Sequence, residues 1–379
     1  MYMRRVCNFT NSNVAMLEND PLSWRMLSII LALSLTGAPK TTMFGDIVVS
    51  WRDLAGGDYI NLEGDNFRFD QADLGLHHQI NDFVVGYTRL SLTGGSVTPN
   101  EAWLRLEGMP YEGSFTIGKF FKPLGAPIPL ASLSFPAIML HSYSDFGAKV
   151  NFSKDAFSLE LGTVNGNPLS APATGGRVGG TAVITNANPP TTNDIDNNKE
   201  MYGRLAVNYG EDWGSLTAGV TYTEGRLASQ EIDALNPGGA LNFGIFGLPV
   251  NVAKRRAHLE FDLDYQKGPF RIFSEYVNAE DGRLRRKIFS LAGSYVFFYT
   301  SGAVTTTLGY DNLNINAARP NLNLPYTWNR NRLSASLQWQ PYEFLSIQGE
   351  YDWNRENAIQ RDGGHVDNDG ITIQSIIYF

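Results

Sequence analysis

The sequence has one cysteine, few charged residues and no long apolar run. Cys7 stands alone, so a disulfide within the chain and a cysteine-rich zinc site are both excluded. Charged residues make up 18% of the chain, whereas an average soluble domain carries about 25%. The net charge is −8, and a nucleic-acid-binding protein would need a basic surface. The sequence therefore argues against a disulfide scaffold, a zinc protein and a nucleic-acid partner.

The longest apolar run, Met26 to Ala38, has 13 residues. A helix that spans a bilayer needs about 20 residues, so this run is too short. It matches the apolar segment of a secretory signal peptide, with arginines before it. We therefore predict a leader over residues 1–38 and a single domain over residues 39–379. The alternative is a buried helix of a soluble fold, although no second helical pattern follows against which it would pack.

What the chain does contain is an unusual mixture of residue types. Hydrophobic residues make up 43% and aromatic residues 12%, and there are 38 glycines. The mean hydropathy is nevertheless −0.20, which excludes a membrane protein built from helices. Low charge, many aromatics and many neutral polar residues are typical of strands that have one apolar face and one polar face.

Alternation of apolar and polar residues recurs along the chain after residue 40. The clearest case is Arg332 to Pro341, where Leu333, Ala335, Leu337 and Trp339 point one way and serines and glutamines point the other. This period of two predicts half-buried strands. Similar segments are 146–152, 157–164, 201–209, 216–222, 257–265, 289–298, 304–310 and 345–353.

The connections between these segments differ sharply in length. Residues 267–269 form a tight turn, whereas residues 165–199, 227–254 and 312–329 are long and polar. Outer-membrane barrels combine short turns at one end with long loops at the other. The alternation indicates about 16 strands, a number that leaves a water-filled channel inside a closed barrel. We predict an all-β fold, a transmembrane antiparallel β-barrel of about 16 strands.

The last strand has its own signal. It reads GITIQSIIYF, alternates in polarity and ends on Phe379. A C-terminal Phe that closes an amphipathic strand resembles the assembly signal of bacterial outer-membrane proteins. This resemblance implies a bacterial outer-membrane location and recognition by the barrel-assembly machinery.

A longer stretch, NEAWLRLEGMPYEGSFTIGKFFKPLGAP from Asn100 to Pro127, carries a family resemblance. It contains Ala102-Trp103-Leu104, then Gly118-Lys119-Phe120, and then Lys122-Pro123-Leu124-Gly125. These motifs, together with LEFDLDYQKGPFRIFSEYVNAE from Leu259 to Glu280, resemble the phosphate-selective porin O and P family. The resemblance covers residues 65 to 379.

The resemblance implies a sixteen-stranded barrel, usually a homotrimer, whose long loops fold into the pore. The stretch Pro123 to Asp145 is the candidate constriction loop. Its prolines exclude a central strand, and its apolar composition suits a loop folded inward against the barrel wall. The alternative is an external loop that contacts a neighbouring subunit.

The alternation also predicts which charged side chains face the lumen. Members of the resembled family owe phosphate selectivity to an arginine ladder and a lysine cluster, and Lys119 and Lys122 match the family motif. The candidate basic residues are Lys119, Lys122, Arg105, Lys149, Arg204, Arg256, Arg271, Arg286 and Arg332. The candidate acidic residues are Glu260, Asp262, Asp264, Glu350 and Asp352, and Glu101, Glu107, Glu160 and Glu275 lie on the same predicted faces. Because acids are at least as numerous as bases on these faces, a general pore with mixed lumen charges is the favoured interpretation.

The expected function is therefore a porin for passive diffusion of small hydrophilic solutes and ions, with an anion or phosphate preference as the finer alternative. A plugged barrel with an adhesive or structural role is a second possibility, and an outer-membrane enzyme is a third. The sequence has no G-x-S-x-G, H-E-x-x-H or P-loop motif, so we expect no catalytic residues, no cofactor and no metal. The expected partners are outer-membrane lipid, small ions and solutes. The basic run Arg283 to Lys287 fits either an anion trap at the pore mouth or a strand end that pairs with lipid phosphates.

Overall fold

The computed structural model describes a barrel in which almost every described residue belongs to a strand. The described residues are 40–54, 66–93, 96–123, 130, 144–166, 169–170, 185–186, 199–212, 214–227, 255–282, 284–299, 302–316, 329–356, 366–367 and 369–379. The predicted leader, residues 1–38, lies outside the described residues. Most of the predicted constriction loop does so as well.

Sixteen strands of 8 to 16 residues form the wall. They are β1 (Lys40–Leu54), β2 (Asn66–Asn81), β3 (Val84–Thr93), β4 (Ser96–Met109), β5 (Gly113–Phe121), β6 (Ser144–Lys154), β7 (Phe157–Val164), β8 (Glu200–Glu211), β9 (Gly214–Arg226), β10 (Arg255–Lys267), β11 (Phe270–Asp281), β12 (Leu284–Tyr299), β13 (Gly302–Asn316), β14 (Arg330–Tyr342), β15 (Leu345–Glu356) and β16 (Gly370–Tyr378). Three two-residue strands occur as well, at Leu169–Ser170, Thr185–Asn186 and Val366–Asp367.

Each strand pairs antiparallel with its neighbours in the chain, and the first and last strands close the barrel. β1 pairs with β2 on one side and with β16 on the other, with Asp46 opposite Tyr378 and Asp53 opposite Ile371. Backbone bonds continue this pairing past the end of β16, from the Gly45 amide to the Phe379 carbonyl at 2.9 Å and from the Phe379 amide to the Gly45 carbonyl at 3.0 Å. Closure satisfies the backbone polar groups that an open edge would expose to lipid. The predicted antiparallel barrel of about 16 strands is confirmed.

The connections fall into two classes according to the end of the barrel. At one end, seven turns of two or three residues join consecutive strands. They connect β2 to β3, β4 to β5, β6 to β7, β8 to β9, β10 to β11, β12 to β13 and β14 to β15. At the other end six of eight connections are long, and only those at 94–95 and 282–283 are short. Outer-membrane barrels have short turns on the periplasmic side and long loops outside. We therefore refer to the short-turn end and the long-loop end, and assign the latter to the exterior.

The early strands, whose alternation is weak in the sequence, contain irregular pairing. The register shifts between Val48 and Val49 in β1, between Gln79 and Asn81 in β2, and between Arg89 and Leu90 in β3. A bulge inserts a residue on one strand and reverses the side-chain pattern beyond it. These shifts explain why period-two reasoning works better after residue 140 than before it.

The two faces of the wall differ in chemistry as predicted for a barrel in a membrane. Large apolar side chains are exposed on the outer face, for example Leu161, Phe261, Leu308, Leu337 and Ile373. Serines, threonines and charged residues alternate with them on the inner face. This arrangement places the apolar surface against lipid and the polar surface in the lumen. No helix among the described residues is long and apolar enough to cross a membrane.

Candidate functional site

The candidate site is the charged inner face of the barrel, where bases and acids pair within strands and between strands. Eight of the nine predicted basic lumen residues form an ion pair with a carboxylate, and Lys119 is the exception among the described pairs. The pairs are Arg105–Glu107, Lys122–Glu200, Lys149–Glu160, Arg204–Asp262, Arg256–Asp281, Arg271–Asp264, Arg286–Asp281 and Arg332–Asp311. The predicted bases are therefore compensated by acids rather than stacked as a row of free cations.

The pair formed by Arg204 on β8 and Asp262 on β10 spans a whole strand. Arg204 Nη1 lies 2.5 Å from Asp262 Oδ2, and Nη2 lies 2.8 Å from Oδ1, which is a bidentate contact. Gly219 on β9 lies between them, and a Cβ atom added there would collide with both side chains. Arg204 also donates to Thr221 Oγ1 at 3.0 Å. The absence of a side chain at Gly219 is what allows the pair to form over β9.

A second group of charges is buried near the long-loop end. Lys122, just after β5, is paired with Glu200 at the start of β8, and Glu200 is also 3.4 Å from Arg256 Nη1. Arg256 Nε lies 3.0 Å from Asp281 Oδ1, and Asp281 is further paired with Arg286. All five side chains are buried. We call this the buried ion network. It ties the chain that leaves β5 to strands β8, β10, β11 and β12.

Lys119 occupies a different position from the one predicted. It lies opposite Phe146 of β6, whose ring centre is 5.9 Å from Nζ, within three consecutive buried residues of β5. Its amine donates to the Pro99 carbonyl at 2.6 Å, and the side chain is buried. The alternation and the match to the family motif both predict Lys119 as a lumen residue, whereas its amine is engaged by a backbone carbonyl.

The described parts of the chain after β5 contact the inner wall at strands that are not neighbours of β5. The Pro123 carbonyl accepts a hydrogen bond of 3.4 Å from Thr221 Oγ1 on β9. Leu130 lies near Gly309 on β13, where an added Cβ atom would be 2.8 Å from Leu130 Cδ1. Both wall positions are on the inner face, since Thr221, Thr307 and Gly309 are buried in alternation with exposed outward residues. The remaining residues from 124 to 143 lie outside the described part of the chain.

The inner face of β11 to β13 carries a patch that is apolar instead of charged. Val277, Ile288 and Leu313 stand in one register row, and Ala279 is beside them. All four are fully buried. Apolar side chains on the lumen side of a water-filled barrel would be costly unless something covered them. The patch lies on the same side of the barrel as Gly309, the neighbour of Leu130.

Several inner-face contacts were not predicted because they depend on strand register. Arg89 is paired with Asp73 and lies 3.7 Å from Asp46, so three strands share one cation. Tyr87 and Trp103 stack with ring centroids 5.0 Å apart.

Carboxylates outnumber cations on the inner face of the described strands. The predicted acids Glu260, Asp262, Asp264, Glu350 and Asp352 all alternate with outward apolar residues, which places them on this face. Further inner-face acids are Asp46, Asp73, Glu101, Glu107, Glu160, Glu200, Glu275, Asp281 and Asp311. Among the described residues, no group of three or more His, Cys, Asp or Glu side chains is placed to hold a metal ion.

Comparison with known proteins supports the fold but assigns no family. No family model matches the chain, and no curated protein matches its sequence. Solved structures do match. OprB of Pseudomonas putida aligns with a TM-score of 0.65 at 8% identity, covering 93% of this chain and 96% of that one. The outer-membrane channel DcaP of Acinetobacter baumannii aligns with a TM-score of 0.62 at 12% identity, covering 90% and 97%.

A third structure, an anion-selective porin from Comamonas acidovorans, aligns with a TM-score of 0.56 at 10% identity and covers 90% of this chain and 100% of that one. At these identities the likeness shows a shared fold, that of bacterial outer-membrane porins. Membership of the phosphate-selective O and P family is not confirmed.

Proposed function

We propose that the chain forms a passive, weakly selective pore through the bacterial outer membrane for small hydrophilic solutes and ions. The observation that carries the proposal is the compensated inner wall, where eight predicted lumen bases are each paired with an acid. A wall whose charges largely cancel selects solutes by their size. Strong selectivity for one sign of ion needs a ring of charges of one sign at a narrow point of the pore. The excess of carboxylates favours a slight preference for cations.

The anion or phosphate preference is the less favoured form of this function. An arginine ladder requires cations that are free to meet an anion, whereas Lys122, Arg204 and Arg332 are engaged by Glu200, Asp262 and Asp311. Lys119 is buried, and its amine is engaged by the Pro99 carbonyl. These placements support a general pore over a phosphate-selective one.

We also propose that the predicted constriction loop folds into the lumen over residues 123–143, since Ser144 and Asp145 belong to β6. The contacts of Pro123 with Thr221 and of Leu130 with Gly309 support this, as does the buried apolar patch on β11 to β13. The test is a cysteine pair, Leu130→Cys with Gly309→Cys, after Cys7→Ser. Oxidation should form the intramolecular disulfide in the folded barrel, and an external loop would leave both thiols free.

Single-channel conductance of the purified protein in a planar bilayer tests the pore itself. Steady open current with a weak cation-leaning reversal potential in a KCl gradient supports the proposal. Anion selectivity with block by added phosphate would instead support the phosphate-preferring form. Absence of current would overturn the pore and favour a plugged barrel with an adhesive role. Cross-linking in membranes tests the accompanying expectation of a homotrimer, and a catalytic role has no motif to support it.

A further inference from the structure

The basic run near the start of β12 divides between the two faces of the wall. Arg286 points inward and is buried against Asp281. Arg285 and Lys287 point outward, and 65% of the Arg285 side chain is exposed. The described part of the run therefore does not form a pore-mouth anion trap, because Arg285 and Lys287 lie on the surface that faces lipid; Arg283 lies outside the described residues. The position of Arg285 and Lys287 on the outer surface does not depend on whether the barrel conducts ions.

Along the barrel axis, these cations lie at the edge of the apolar outer surface that is nearer the long-loop end. Lys287 stands in register between Asn278 of β11 and Asn314 of β13, both exposed. One step toward the short-turn end, the outward residues become aromatic, with Phe289 and Tyr310 in ring contact at 6.4 Å between centroids. Aromatic girdles mark the interface between hydrocarbon and headgroups in such barrels. Arg285 and Lys287 therefore lie at the level of the headgroups at the long-loop end.

The connection above these cations is short. β11 and β12 are joined only by residues 282–283, whereas six of the eight connections at this end are long. The strand ends themselves, rather than a long loop of the same hairpin, thus border the headgroup region. A third outward cation, Arg255 on β10, stands two strands away with 57% of its side chain exposed.

The acids nearby only partly compensate these three cations. Glu280 is 3.4 Å from Arg285, and Glu224 is 3.2 Å from Arg255, both as exposed pairs that contribute little. Lys287 has no ion pair among the described residues. One cation is thus left in excess on an outward surface at headgroup level, and the charge complementary to it is anionic.

We propose that Arg285 and Lys287, with Arg255 at the margin, bind the phosphate group of a phosphorylated lipid in the outer leaflet. Guanidinium groups bind phosphate oxygens through paired N–H donors, and a lysine adds a point charge beside them. The acyl chains of the same lipid would lie along Phe289, Leu291 and Tyr310. The surface thereby fixes the orientation of a lipid against strands β10 to β13.

The test compares lipid binding by the full-length barrel and two double variants in detergent, measured by native mass spectrometry. The probes are a diphosphorylated glucosamine-disaccharide lipid and its dephosphorylated form. Arg285→Gln with Lys287→Gln should weaken binding of the phosphorylated lipid by about tenfold. The matched control, Lys154→Gln with Lys267→Gln, removes two exposed cations at the short-turn end and should leave binding unchanged.

Three results would overturn the proposal. One is equal binding by the Arg285/Lys287 variant and the wild type, and another is equal binding of the dephosphorylated lipid. The third is competition by millimolar inorganic phosphate, which would make free phosphate the ligand. Heat-dependent gel migration confirms that each variant folds. Conductance of the Arg285/Lys287 variant should match the wild type because both side chains point away from the lumen, so loss of lipid binding remains distinct from a failed pore.

Discussion

Arg204 of β8 and Asp262 of β10 form a bidentate ion pair over Gly219 of β9, at 2.5 and 2.8 Å. The pair neutralises an inner-wall cation that would otherwise attract anions. Asp262→Asn should shift the permeability ratio toward anions by about twofold, and Arg204→Gln should shift it toward cations by a similar factor. Reversal potentials in a KCl gradient measure both shifts. The double variant should return close to the wild type, and two single variants without effect would show that this level of the wall does not face the ion path.

The same geometry makes Gly219 a specificity position. A methyl group there would force the Arg204 guanidinium away from Asp262, since an added Cβ atom collides with both. Gly219→Ala should therefore change the reversal potential without loss of folding, because a long arginine side chain can move. Gly349→Ala is the control, since nothing lies within 4 Å of its added Cβ atom. Identical reversal potentials for the two variants would contradict the role assigned to Gly219.

Breaking the buried ion network should destabilise the barrel far more than breaking an exposed pair does. Glu200 lies between Lys122 and Arg256, so Glu200→Gln leaves two buried cations poorly compensated. Removing one partner of a buried pair costs about 3 kcal/mol, whereas Glu224→Gln at the exposed pair with Arg255 should cost about 0.5 kcal/mol or less. Urea unfolding in detergent measures both. Equal losses would mean that water reaches Glu200 freely.

The sequence allowed the strands of the second half to be predicted and their faces assigned. In β14, Leu333, Leu337 and Trp339 are exposed outward and Ser334 is buried inward, as alternation requires. The first half was harder to interpret because bulges such as the one between Arg89 and Leu90 reverse the pattern locally.

The partners in the ion pairs of the inner face could not be predicted from the sequence, for a different reason. Which base meets which acid depends on cross-strand register, and Arg204 and Asp262 lie 58 positions apart. The placement of Lys119 shows the complementary problem. Alternation and a family motif both pointed to the lumen, whereas the buried contact with the Pro99 carbonyl has no signal in the sequence.

Two separate glycine substitutions, one of them a control, test the constriction loop without introducing cysteines. Gly309→Leu would place a side chain where Leu130 Cδ1 now lies, at 2.8 Å from the added Cβ atom. We expect the single-channel conductance or its open-state noise to change, because the loop would lose its contact with β13. Gly293→Leu on the neighbouring β12 is the control, since its added Cβ atom meets nothing within 4 Å. Unchanged currents in both variants would place Leu130 away from the ion path.

The contact between Phe379 and Gly45 predicts a requirement for barrel closure. Two backbone bonds join these residues at 2.9 and 3.0 Å, and the Phe379 ring covers Gly45 where a Cβ atom would stand. Deleting Phe379 removes both bonds and the ring, and Gly45→Val should collide with the ring and with the Asp73 backbone carbonyl of β2 while leaving the chain end intact. Both changes should lower the amount of folded protein in the outer membrane, measured by heat-dependent gel migration of membrane fractions. Phe298→Ala removes an exposed ring of the same size elsewhere on the surface and should have little effect. If Gly45→Val assembles normally while the deletion does not, the terminal residue acts through recognition by the assembly machinery rather than through its packing on β1.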